Sequence, residues 1–134
     1  MKDLMKSNIY DCEEQIIVIG SCLKDVQSGA YFELEKMNLP IFEVCLESIH
    51  INMVITKIMG MIRTGKVKKI IFASVDKSPH CVQLHYIQNE ISKIGFDIEF
   101  ENYVAVDDKL IKISKDTISL SKNLAKLSKF VESD

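Results

Sequence analysis

Three cysteines and two histidines of this chain fall close behind segments that have the character of buried β-strands. Cys22 follows the apolar run QIIVIG, Cys45 lies near the end of IFEVCLE, and Cys81 follows KKIIFASV. His50 comes soon after the second segment, and His80 directly precedes Cys81. Thiols and imidazoles serve as redox nucleophiles, proton carriers and ligands of soft metal ions. If the three segments are parallel strands, their ends share one edge of a sheet, and these side chains are expected to form one site.

The junction after the third segment, SVDKSPHCVQLHY at residues 74–86, is the most informative. Ser78 is a typical N-cap, and the proline after it suits the first position of a helix that we predict over residues 79–94. Cys81 then lies in the first helical turn, where free N–H groups favour a negative charge. We therefore expect Cys81 to be the activated thiolate, with Cys22 as its partner or second ligand.

The helical period also orients the two histidines of this junction. At about 100° per residue, His80 lies on the same side as the apolar stripe of the helix. It is therefore expected to point back over the end of the sheet, where it would carry a proton or bind a metal. His85, one turn beyond Cys81, is expected to lie nearer to solvent.

The first functional hypothesis is a thiol centre for redox chemistry, sulfur handling or metal binding. Its reactive residues would be Cys81, Cys22 and His80, which implies a small molecule or a redox partner. Zinc or an iron–sulfur cluster would be held by Cys22, Cys45, Cys81 and His80. Packing is the competing explanation for Cys45, because free cysteine is often buried as a small hydrophobe. Cys12 precedes the first strand and is expected at the opposite edge.

The second hypothesis is a non-catalytic module that holds a small anion or a nucleotide at helix N-termini. Its contacts would come from Gly20, Ser21, Asp76 and Ser78. The stretch GSCLKDVQSGAY lacks the glycine spacing of a dinucleotide fingerprint and the Gly-Lys-Ser/Thr ending of a P-loop. The sequence signal for a nucleotide is therefore weak.

Composition and charge argue against several other classes. The chain has 134 residues, of which 47% are hydrophobic and 27% charged, as expected of one globular domain over residues 1–134. A net charge of −2 and a single arginine, Arg63, argue against a nucleic-acid partner. No apolar stretch has the length of a signal peptide core or a membrane span. We therefore expect no membrane contact, and a cytoplasmic protein whose thiols stay reduced.

The predicted elements alternate between strand and helix. Strands are predicted for QIIVIG (15–20), IFEVCLE (41–47), KKIIFASV (68–75), DIEFENYVAV (97–106) and LIKIS (110–114). Helices are predicted over residues 28–38, 51–65 and 79–94, with a last helix capped by Ser114 or Asp116. This order predicts a three-layer α/β/α sandwich of the Rossmann-like or flavodoxin-like kind. Its largely parallel sheet would have four or five strands, with an antiparallel hairpin at one edge near the C-terminus.

The segment Ile51–Arg63 carries apolar residues around most of its helical circumference. Such a helix is either deeply buried or part of an interface. In a domain of this size we expect a homodimer contact through it. A dimeric accessory subunit, with this helix as its functional surface, is therefore a third hypothesis.

Overall fold

A computed structural model describes residues 1–132, which form one six-stranded sheet flanked by helices. The strands are β1 (Lys2–Asp3), β2 (Gln15–Gly20), β3 (Ile41–Val44), β4 (Lys69–Val75), β5 (Glu99–Val106) and β6 (Lys109–Ile113). The helices are α1 (Leu23–Val26), α2 (Ser28–Glu35), α3 (Ile51–Arg63), α4 (Gln83–Ser92), α5 (Lys115–Lys122) and α6 (Leu124–Glu132). In this part of the chain, none of the helices has the length and hydropathy needed to cross a bilayer.

The strand order explains where a ligand site can form. The order is β1-β3-β2-β4-β5-β6, and all neighbours are parallel except β5 and β6. From β2 the chain moves to one side, to β3, and then crosses to the other side, to β4. Open α/β sheets leave a crevice beyond the carboxyl ends of the strands at such a reversal. The residues that follow β2 and β4 therefore flank the expected crevice.

Alternation along β2 explains why helices cover both faces of the sheet. Ile16 and Val18 belong to the core that includes residues of α3 and α4, whereas Ile17 and Ile19 pack with residues of α1 and α2. All four side chains are fully buried. The run QIIVIG is continuous because neither face of this strand meets water. The predicted α/β/α sandwich with an antiparallel edge pair is confirmed.

Three details of the number and division of the elements differ from the prediction, besides the boundaries of β3 and α4. The sheet gains β1, which is too short for its two residues to show any periodicity. The short helix α1 precedes the predicted helix α2. The predicted terminal helix divides at Asn123, whose backbone is not helical. Ser114 caps α5 as expected, since its hydroxyl accepts a hydrogen bond from the N–H of Thr117 at 3.1 Å.

The N-terminal segment of the chain covers part of the apolar surface of α3. Ile9 lies so close to Gly60 that a Cβ added there would be 2.8 Å from a methyl group of Ile9. The ammonium group of Lys57 donates a hydrogen bond to the carbonyl oxygen of Ser7. Met53 remains 53% exposed. The N-terminal segment thus buries much of the apolar surface that α3 was predicted to use in an interface. The homodimer stays a prediction.

A network of four buried polar side chains joins α4 to the sheet. Ser74 Oγ lies 2.7 Å from Nε2 of His85, and Nδ1 of His85 lies 2.9 Å from Oδ1 of Asn102. The amide nitrogen of Asn102 donates to Oε1 of Gln88. Because Oδ1 can only accept, Nδ1 of His85 carries the proton and Nε2 accepts from the Ser74 hydroxyl. This network holds the first two turns of α4 against β4 and β5.

Candidate functional site

The sulfur atoms of Cys22 and Cys81 lie 3.8 Å apart at the carboxyl ends of β2 and β4. Both cysteines are free thiols. Cys22 directly precedes α1 and is exposed, whereas Cys81 lies in the loop before α4 and is only 6% exposed. The reversal of strand order thus brings into contact two thiols that are 59 positions apart in the chain.

Gly20, the last residue of β2, leaves the space that the Cys81 thiol occupies. A Cβ at position 20 would lie 2.5 Å from Sγ of Cys81. Gly20 is required for space and not for a left-handed backbone, since the glycines with positive φ are Gly65 and Gly95. The surface on which a phosphate would rest against Gly20 is therefore filled by a sulfur atom.

Replacing Gly20 with alanine should displace the Cys81 thiol and lower the free energy of unfolding by about 1–3 kcal/mol, as overpacking does. Cys81→Ala is the matched partner, because without the sulfur the nearest atom to the new methyl group is the Cβ of residue 81, at an ordinary 3.5 Å. In a double-mutant cycle followed by urea denaturation, G20A should cost much less in the C81A background. An equal cost in both backgrounds would contradict this packing.

The surroundings of Cys22 keep its thiol protonated at neutral pH. Although the residue is exposed as a whole, its sulfur faces Cys81. The pKa of Cys22 is raised to about 11. Desolvation is the largest cause of this rise, followed by repulsion from a negative charge on Cys81 and by the contact between the two sulfurs. Cys22 is therefore a slower nucleophile at neutral pH than an ordinary thiol.

Cys22 is accordingly expected to react slowly with iodoacetamide, with a rate that still rises above the ordinary thiol pKa of 9.0. A pH series of alkylation pulses, read out by peptide mass spectrometry, measures this. In C81A the midpoint for Cys22 should fall, because the repulsion from residue 81 is removed while the desolvation remains. A midpoint at or below 9.0 in the unsubstituted protein would be incompatible with the described environment.

Cys45 lies in the loop after β3, because this strand ends at Val44 and not at the predicted residue 47. The residue is half-buried and lies outside the strand, so the competing explanation, a cysteine packed as a small hydrophobe inside a strand, does not describe it. The Ser48 hydroxyl is the largest cause of a lowered pKa of Cys45, and the N–H groups of Glu47 and Ser48 act in the same direction. Ser21 and Val44, the residues before Cys22 and Cys45, are joined by a backbone hydrogen bond of 3.0 Å, so Cys45 begins the loop beside the pair. A negative charge on Cys45 also raises the pKa of Cys22.

The loop before α4 differs from its prediction and changes the surroundings of three site residues. As expected of a cap, Ser78 Oγ accepts a hydrogen bond from the N–H of Cys81 at 3.3 Å. The helix does not start there, however: the N–H of Gln83 bonds to the carbonyl of His80, and α4 begins only at Gln83. Cys81 therefore precedes the helix, and the expected activation by a first helical turn does not apply. The same shift leaves His80 exposed and turns His85 into the core, so both predicted orientations are wrong.

The predicted metal centre is not assembled. Among residues 1–132, no group of three or more His, Cys, Asp or Glu side chains is placed to hold a metal ion. The two contacting sulfurs of Cys22 and Cys81 supply at most half of a tetrahedral zinc site. His80 and His50 are both exposed in loops. Cys12 lies apart from the site, with its sulfur 3.2 Å from the carbonyl oxygen of Ile9.

The residues predicted to hold an anion offer little for that purpose. The N–H of Ser21 donates to the carbonyl oxygen of Val44 at 3.0 Å, and the Ser78 hydroxyl is engaged by Cys81. Asp76 is exposed and carries a negative charge. Sequence reasoning missed Ser48 as a partner of Cys45, and it missed the buried network. The available signals for the network were Ser74 and Asn102, polar residues inside predicted strands.

The comparison with known families agrees with the fold. A family model described as a Rossmann-like domain matches residues 12–132, which include the ends of β2, β3 and β4 and the three thiols that follow them. No curated protein and no solved structure matches the chain. Because the match extends over most of the sequence, the chain belongs to the family of Rossmann-like domains.

Proposed function

We propose that Cys22 and Cys81 form a dithiol–disulfide redox centre. The observation that carries the proposal is the 3.8 Å separation of two free sulfurs at the reversal of strand order. A disulfide requires sulfurs about 2 Å apart, so these two sulfurs, already in contact, must approach each other by roughly 2 Å to bond. Thiol pairs of this kind in reducing compartments are usually catalytic or redox-sensing.

The reaction partner of this centre would be a disulfide or a dithiol. With a small disulfide RSSR, the Cys22 thiolate attacks one sulfur and releases RS⁻. Cys81 then attacks the Cys22 sulfur of the mixed disulfide and releases the second RS⁻. Two electrons pass from the protein to the reagent, so that one RSSR becomes two RSH and the protein gains one disulfide. Cys22 is the entry point because it is exposed, and its raised pKa makes this first attack slow at neutral pH and faster as the pH rises. The buried Cys81 then completes the exchange.

Equilibration with mixtures of reduced and oxidised dithiothreitol tests the proposal. After acid quenching and alkylation, the fraction of Cys22–Cys81 disulfide should follow a single two-electron equilibrium. Cys22→Ser and Cys81→Ser should each abolish the transition. Cys12→Ser should leave it unchanged, since Cys12 lies apart from the pair.

A pair that stays reduced over the whole series would overturn the proposal. So would a protein that accumulates only mixed or intermolecular disulfides, because the two sulfurs would then not be neighbours in solution.

A further inference from the structure

Three cysteines follow three neighbouring strands at one edge of the sheet. Strands β3, β2 and β4 are adjacent in that order, and Cys45, Cys22 and Cys81 follow them. In the register of β2 and β3, Gly20 is opposite Val44, and the N–H of Ser21 donates to the carbonyl of Val44 at 3.0 Å. Cys22 directly follows Ser21, and Cys45 directly follows Val44. The order of the strands thus places Cys22 between the two other thiols.

The three thiols differ in ways that assign them different tasks. Cys45 is half-buried in the loop after β3, and the Ser48 hydroxyl donates to its carbonyl oxygen at 3.4 Å. The Ser48 hydroxyl and the N–H groups of Glu47 and Ser48 also hold the pKa of the Cys45 thiol below its ordinary value. Cys22 is held protonated, as described above. Cys81 is 6% exposed and touches Cys22. Only Cys45 combines access to solvent with stabilisation of a thiolate.

We infer that Cys45 reacts first with a hydroperoxide and passes the oxidation to the Cys22–Cys81 pair; the inference rests on the redox function proposed for that pair. The substrate class follows from the surroundings of Cys45. The carboxylate of Glu47 is close enough for its charge to oppose a negative charge on the Cys45 sulfur. An anionic disulfide such as oxidised glutathione is repelled by that carboxylate, whereas a small neutral hydroperoxide is not.

The relay has three balanced steps. The Cys45 thiolate attacks one oxygen of ROOH, the O–O bond breaks, and the leaving alkoxide takes a proton from water to give ROH and Cys45 sulfenic acid. The Cys22 sulfur then attacks the Cys45 sulfur, and water leaves as the disulfide forms. Cys81 attacks the Cys22 sulfur and releases Cys45 as a thiolate. In sum, two thiols and one ROOH become one disulfide, ROH and water.

The test uses a limiting amount of hydrogen peroxide, with acid quenching, blocking of free thiols and peptide mass spectrometry over time. The unsubstituted protein should end with the Cys22–Cys81 disulfide. Cys81→Ser should stop one step earlier and accumulate a Cys22–Cys45 disulfide. Cys45→Ser should slow formation of the Cys22–Cys81 disulfide by about tenfold or more, because Cys22 is held protonated and Cys81 is shielded from solvent. Cys12→Ser should behave as the unsubstituted protein.

The two proposals fail in different ways. If Cys45→Ser forms the Cys22–Cys81 disulfide with peroxide at the unsubstituted rate, or if no Cys22–Cys45 disulfide appears in Cys81→Ser, the relay is wrong while the redox pair stands. In the dithiothreitol series, Cys45→Ser should reach the same equilibrium as the unsubstituted protein. If the pair fails to oxidise in that series even with Cys45 present, the proposed function fails.

Discussion

Substituting leucine for His85 should lower the free energy of unfolding by about 2–6 kcal/mol. The imidazole is 2% exposed and is hydrogen-bonded to Ser74 and Asn102. Leucine would leave a buried hydroxyl and a buried amide oxygen without partners, at a cost of about 1–3 kcal/mol each. Urea denaturation measures the change.

The matched control is His80→Leu, which removes the exposed histidine five residues earlier, in the loop before α4. Its effect should stay within about 0.5 kcal/mol, as for most surface substitutions. A similar small effect of His85→Leu would show that the buried network does not stabilise the fold.

The same histidine is expected to make stability depend on pH. Burial is the main cause that holds the pKa of His85 below its ordinary value of 6.5, so the unfolded chain takes up the proton first as the pH falls. The stability is therefore fully present above about pH 6.5 and declines below it, by up to about 1.4 kcal/mol per pH unit, until the folded pKa is reached. His85→Leu should lack this part of the slope, and His80→Leu should keep it.

Oxidation of the Cys22–Cys81 pair should raise the free energy of unfolding by about 4 kcal/mol, less any strain in the folded state. The cross-link would join positions 59 residues apart, and the estimate is the loop-closure entropy removed from the unfolded chain. Unfolding of oxidised and reduced protein in urea, without added thiol for the oxidised sample, gives the difference.

Cys22→Ser treated with the same oxidant is the control, and its stability should not change. If the oxidised unsubstituted protein were less stable than the reduced one, the folded structure would have to distort to close the disulfide, and the described contact of the two sulfurs would not hold.

The parallel part of the fold could be predicted because strands buried on both faces leave a simple pattern. Runs such as QIIVIG and KKIIFASV are continuous and apolar, and both became central strands, β2 and β4. The start of α4 could not be predicted. Ser78 and the proline after it match a helix start. The chain nevertheless forms tighter turns there, and the helix begins only at Gln83.

The candidate site was predictable in part, and the reason lies in topology. Any parallel sheet brings Cys22, Cys45 and Cys81 to one edge, but only the order of β3, β2 and β4 decides which thiols are neighbours. That order depends on long-range packing, and no local pattern in a single sequence predicts it. The role of Gly20 was equally hidden, because its missing side chain matters only once Cys81 lies against it.

Disulfide mapping after mild oxidation tests the central claim most directly. Protein oxidised with oxidised dithiothreitol, blocked, digested and analysed by mass spectrometry should yield one dominant intramolecular linkage, between Cys22 and Cys81, while Cys12 remains alkylated. Any other dominant pairing at equilibrium, or four free thiols under conditions that oxidise ordinary neighbouring cysteines, would contradict the account of this site.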